Sequence, residues 1–224
     1  MQPTFDASSS GNTGANTAAS LTFSHVLGGG SNRFVLVGVH IANRVAVTVS
    51  SVTYNGVGMT ALPSGSAESA GGWFTAFYYI KEANLPAAGT YNIVITPSAN
   101  KRMVGTALSY ADVEQTTTTG TPVTNNGSGT SATATVSLGA DDVAADVVSA
   151  KGVAGNTQTL STSLGQKVTN ATTSGTNTNN VHGGASSDTT AARSWTLGFS
   201  AEWSIVSVPV LGIASDVLFA QALL

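Results

Sequence analysis

Cysteine is absent from the 224 residues. No disulfide framework, thiolate metal site or cysteine nucleophile is therefore available. Charge is nearly as scarce: Asp, Glu, Lys and Arg together make up 8% of the chain, against roughly a quarter in an ordinary soluble domain. The eight Lys and Arg are scattered, Lys101-Arg102 being the one adjacent pair, and the formal net charge is −3. Without a basic stripe to neutralise a run of phosphates, nucleic acid is not an expected partner, and neither is an anionic lipid surface. Long apolar runs are missing too. The most apolar stretch, Ile205 to Ala214, is interrupted by Pro209 and falls short of the roughly 18 residues a spanning helix needs, so no membrane insertion is expected. The opening Met1-Gln2-Pro3-Thr4-Phe5-Asp6 has neither the cationic start nor the apolar segment of a secretory signal.

What is present is a chain of small residues, 100 Da each on average, with 42% hydrophobic content. That content and the low net charge exclude a disordered polymer. The length allows one β-sandwich or two small domains. Strand signals recur throughout. Phe34 to Ile41 is a continuous apolar run, the pattern of a strand buried on both faces. Val45 to Tyr54 alternates, Asn55-Gly56 marks a hairpin, and Val57 to Leu62 reads as the return strand. Trp73 to Ile80 is aromatic-rich, and Thr90 to Thr96 and Met103 to Tyr110 follow. After a Thr-rich stretch from Glu114 to Gly129, read as a loop, come Ala132 to Leu138, Val143 to Lys151, Gln158 to Thr162, Gln166 to Asn170, Ser194 to Ser200 and Trp203 to Ile213. The Ser/Thr/Asn/Gly-rich segment Thr172 to Asp188 also reads as a surface loop.

About a dozen short strands separated by Gly, Asn and Pro turns predict an all-β fold, an antiparallel β-sandwich of the jelly-roll kind. Residues 1–214 are expected to form a single sandwich domain. The rival division at the threonine loop would leave the second half without aromatics until Trp195 and Trp203. Residues 215–224 differ in character and form a short apolar C-terminal tail, for which Ser215-Asp216 can cap a helix. That tail is either a terminal element docked on its own domain or an arm whose Val217, Leu218, Phe219, Leu223 and Leu224 contact a neighbouring subunit.

Candidate chemistry is sparse. His25, His40 and His182 do not fall at metal-ligand spacing with one another or with a carboxylate, and a lone strand histidine is ordinarily structural. Asp141, Asp142 and Asp146 form the one acidic cluster; its spacing departs from that of a calcium loop, and a polar turn entering a strand is the simpler account. Glu68, Glu82, Glu114 and Glu202 stand in no distinctive setting for a paired-carboxylate hydrolase. No cofactor or metal is expected, nor an enzymatic activity. Trp73 and Tyr78, on one aromatic-rich strand, could stack on a sugar, although the same rings are needed to fill a core otherwise built from Ala, Val and Thr.

Several blocks together carry a resemblance: Phe5 to Asn12, Leu21 to His25 and Asn32 to Val39; Ser51 to Val57 with Met59-Thr60; Ala88 to Ile95; and Ser109 to Thr116. On these segments the chain resembles uncharacterised jelly-roll-like β-sandwich modules of bacteriophage virion proteins and bacterial surface proteins. The resemblance implies the sandwich but brings no catalytic motif, and the apolar tail lies outside it. Two functional expectations follow. The first is a structural virion protein, a capsid decoration, head-fibre or tail-associated subunit that forms a homo-oligomer and contacts other virion proteins, assembled in the host cytoplasm without a signal peptide. The second is a carbohydrate-binding or adhesin module for surface glycans, extracellular or on a cell surface.

Overall fold

The computed structural model describes residues 1–42, 46–153, 158–172 and 179–214. Fifteen β-strands and one 3₁₀ turn at Glu82–Asn84 make up the regular structure of these residues, and every strand pair is antiparallel. The first nine are β1 (Thr4–Asn12), β2 (Leu21–Leu27), β3 (Phe34–Ile41), β4 (Val49–Tyr54), β5 (Val57–Gly58), β6 (Thr60–Glu68), β7 (Phe74–Lys81), β8 (Gly89–Pro97) and β9 (Met103–Ala111). They divide between a central sheet, ordered β1-β9-β3-β7-β6, and an outer sheet, ordered β2-β8-β4-β5. The remaining six are β10 (Val123–Thr135), β11 (Val143–Gly152), β12 (Leu160–Ser161), β13 (Gln166–Ala171), β14 (Asn180–Asp188) and β15 (Ala192–Val210). These form a third sheet, ordered β10-β15-β11-β14-β13, with β12 paired to β15.

The two-residue period of a strand explains the stacking. Along β3, Val35, Val37, Val39 and Ile41 point to the outer sheet, where they meet Leu21, Phe23, Val52, Tyr54, Ile93 and Ile95. Phe34 and Leu36 point the other way, into a second core with Val143, Val147, Val206 and Val208 of the third sheet. A strand covered on both faces must be apolar at every position, which is why this run has no alternation. The Asn55-Gly56 hairpin forms as expected. Asn55 at φ 49° and Gly56 at φ 78° join the Tyr54↔Val57 pair, the left-handed pair of residues that a two-residue β-turn requires. The return strand is shorter than expected. Only Val57 and Gly58 pair with β4, after which β6 leaves the outer sheet and pairs with β7 of the central one.

The second half departs further from the sequence reading. Glu114 to Gly129 is not all loop, because β10 begins at Val123 and pairs with β15 from Val123↔Ser207 onward. Thr172 to Asp188 is not a surface loop among its described residues: Asn180 to Asp188 is β14, buried at every position but the last. Ser194–Ser200 and Trp203–Ile213 belong largely to one 19-residue strand, β15. Its first part, with Trp195 and Leu197, joins Val148, Ala150, Trp203 and Ile205 in a third core. Side-chain bonds tie the edges of the central and third sheets together. On one side Asn12 Nδ2 donates to Asn170 Oδ1 at 2.7 Å and Ser8 Oγ to the Lys167 carbonyl at 3.2 Å. On the other, Ser69 Oγ and the Gly71 amide donate to Glu202 at 2.9 and 2.6 Å. Among the described residues no helix is long and apolar enough to cross a membrane.

Candidate functional site

The aromatic platform read from the sequence is not available to a ligand. Trp73 is 4% exposed. Its Nε1 donates to the Asn180 carbonyl at 3.1 Å, and the Lys151 ammonium lies 4.8 Å from the ring centroid. Tyr78 is half-buried and packs on the core between the central and outer sheets. Trp73 stands just before β7 and packs with Ala42, Val104 and Val181, whereas Tyr78 lies within β7. Val217, Leu218, Phe219, Leu223 and Leu224 lie outside the described residues.

Asp146 does not belong with Asp141 and Asp142. It lies inside β11, fully buried, and its carboxylate accepts hydrogen bonds from Arg193 Nε, Ser186 Oγ (2.8 Å) and Trp195 Nε1 (2.6 Å). Arg193, itself 1% exposed, also donates to the Leu164 carbonyl at 2.6 Å, the Thr190 carbonyl at 3.3 Å and Ser186 Oγ. Burial pushes the Asp146 carboxyl upward, and the Arg193 charge with the bonds from Trp195 and Ser186 opposes it. A carboxylate so engaged has no oxygen to spare for calcium. Asp142 instead closes a turn, accepting from the Gly139 and Gly212 amides at 2.7 and 3.2 Å. Among the described residues no three His, Asp or Glu side chains cluster as a metal site would require.

The other carboxylates also hold structure. Glu82 accepts Arg33 Nε, its terminal nitrogen and its backbone amide in a fork–fork pair at 2.5–3.1 Å. Glu114 accepts the Thr116 amide at 2.7 Å. The three histidines are buried and held neutral. His40 lies between Thr106 Oγ1 (3.2 Å) and Thr75 Oγ1 (3.1 Å), and desolvation lowers its pKa to about 3. His25 pairs through Nδ1 with Ser9 Oγ at 2.7 Å, and burial lowers it to about 4 despite the opposing charge of Asp6. This Ser–His contact lacks the third member of a nucleophilic triad, since His25 Nε2 is buried with no hydrogen-bond partner among the described residues.

His182, expected in a loop, lies in β14 and accepts the Gln158 amide at Nε2 (3.3 Å); burial lowers it to about 4. It contributes to a cleft of about 210 Å³ between β12, β13 and β14, also lined by Gln158, Thr159, Leu160, Thr169 and Asn170. A second cleft, of about 200 Å³, lies between Leu62, Pro63, Tyr79, Lys81 and the Thr116–Thr119 segment. Lys81, one of the lining residues, donates to the Gln115 and Thr116 carbonyls at 3.1 and 3.3 Å. Sequence reasoning missed the first cleft because β14 carries its partners' bulk instead of its own. A Cβ on Gly183 would stand 2.6 Å from the His40 ring, and one on Gly184 2.7 Å from Trp195. Compared with known proteins, the chain matches no protein-family model, no curated protein and no solved structure.

Proposed function

We propose that this chain is a structural protein of a bacteriophage virion, a capsid decoration, head-fibre or tail-associated subunit that works through contacts with copies of itself and with other virion proteins. The observation that carries the reading is strand order. Strands β1-β9-β3-β7 facing β2-β8-β4-β5 are what two Greek keys rolled together produce, and they support reading residues 4–111 as a jelly roll, an architecture used in viral capsids and in lectins. Its faces suit side-by-side packing. With 8% charged residues, like-charge repulsion between neighbouring copies is small. The titratable side chains the structure does engage hold turns, strand ends and the buried interior, which is the economy of a building block.

The glycan-module reading needs a ligand site other than Trp73 and Tyr78, since those rings are committed to packing. Light scattering on the full chain tests the assembly reading. The expected result is a defined homo-oligomer that co-sediments with particles, and that shrinks when Val217 to Leu224 are deleted. A full chain that stays monomeric at all concentrations and does not associate with particles overturns it.

A further inference from the structure

We propose that the cleft between β12, β13 and β14 binds one uncharged sugar ring. The argument begins with what the lining lacks. Gln158, Thr159, Leu160, Thr169, Asn170 and His182 include no Lys, Arg, Asp or Glu. A phosphate or carboxylate would find no counter-charge there and a cation no anionic oxygen, so both classes are disfavoured. What remains is hydrogen-bonding capacity without charge, beside the apolar Leu160 and Ala171. That combination fits the hydroxyls and C–H face of a neutral pyranose. The size agrees: about 210 Å³ lies below the roughly 300–1,000 Å³ of pockets for drug-sized ligands, leaving room for a single ring.

The polar groups are also held in advance. Gln158 imitates a strand, its Nε2 donating to the Phe199 carbonyl at 3.0 Å and its Oε1 accepting the Phe199 amide at 3.1 Å. Its backbone amide then fixes His182 by donating to Nε2 at 3.3 Å. A neutral imidazole that accepts at Nε2 carries its hydrogen on Nδ1, and among the described residues the ring's one hydrogen bond is the one at Nε2. His182 as a residue is 2% exposed and lines the cleft, so its Nδ1 hydrogen is a donor left for a ligand there. Asn170 fixes β13 and does not serve as a ligand group: its Oδ1 accepts from Asn12 Nδ2 and from the Ala171 amide at 2.8 Å, and its Nδ2 donates to Ser10 Oγ at 3.0 Å. Thr159 and Thr169 are exposed at the rim. Rigid polar groups of this kind bind without paying the ordering cost at the moment of association. The inference stands whether or not the chain self-assembles.

The test is an amide-resolved NMR titration of the full chain with glucose, galactose and N-acetylglucosamine, each alone, and with glucuronate and glucosamine as charged counterparts. At least one neutral sugar should give saturable shifts at Gln158, Asn170 and Ala171 with a dissociation constant on the order of 1–10 mM. Thr169→Arg, placed on an exposed strand position so that the rest of the spectrum is unchanged, should fill the cleft and abolish those shifts. His182→Asn should weaken binding about tenfold. No saturable shift with any neutral sugar, shifts that map elsewhere, shifts that survive Thr169→Arg, or a stronger response to the charged sugars would each overturn the proposal.

Discussion

The two halves of the molecule solve the same packing problem with different materials. Residues 4–111 fill the space between the central and outer sheets with Val, Ile, Leu, Phe and Tyr. Residues 123–210 fill theirs with alanines and a few Val, Leu and Ile under two tryptophans, with buried serines among them, around an ion pair with no solvent exposure at either side chain. In the first half each residue brings its own bulk, and a substitution leaves a hole of its own size. In the second, a few large groups cover many small ones, so stability is concentrated in Trp195, Arg193 and Asp146. The halves meet where His40 of β3 lies against Gly183 of β14.

Acid should expose this difference most strongly. All three histidines are held neutral, with pKa values lowered to about 3–4, while an unfolded chain protonates them near 6.5. The unfolded state therefore binds more protons at any pH below 6.5, and stability falls as pH drops through that value toward 4. Between pH 7 and pH 5 each histidine should cost about 1.9 kcal/mol, roughly 5.5 in all. Denaturant titrations at the two pH values measure the sum. His40→Asn should remove about a third of it. Hydrogen exchange at pH 5 should open β14, which carries His182 and lies against His40, before β8 and β2, the latter carrying His25 alone. Uniform opening across both halves would break the comparison.

Next in size is the buried ion pair. Asp146→Ala strands a guanidinium with no exposure, and losing one partner of such a pair costs about 3–5 kcal/mol. Replacing both, as Asp146→Leu with Arg193→Met, should recover most of that loss. Equal losses for the single and double variants would show that the pair is not what organises the second half.

Legibility in the sequence followed the same division. The run from Phe34 to Ile41, the Asn55-Gly56 turn and the aromatic strand at Trp73 announced themselves because the periodicity lay in their own side chains. Asn180 to Asp188 did not, since its partners supply the bulk that makes it a buried strand. The polar Val123 to Gly129 stretch read as a loop because it is an edge strand with mostly solvated residues. Trp73 was visible as an aromatic, but its burial depends on the third sheet, which no local pattern reveals. The cleft at His182 was illegible for a related reason: its lining is assembled from three strands, two of which carry no hydrophobic alternation.

Gly184→Val tests that reading at moderate cost. Its side chain would enter the Trp195 ring, and overpacking of this kind costs about 1–3 kcal/mol. Thermal denaturation should show a loss in that range, while the same residue change at the open Gly29 should be nearly silent.

The smallest expected effect lies on the outer face. Val26 is 55% exposed opposite Thr90, so Val26→Thr should change monomer stability by no more than about 0.5 kcal/mol. Its interest is that stability and assembly separate there. Val26 and Val57 are two of the three exposed large hydrophobics among the described residues. If the assembled particle covers the outer sheet, Val26→Thr should lower oligomer mass at limiting concentration in light scattering while leaving the denaturation midpoint in place. If mass is unchanged, the contact lies elsewhere, and the first half serves the assembly as a rigid base instead of a docking face.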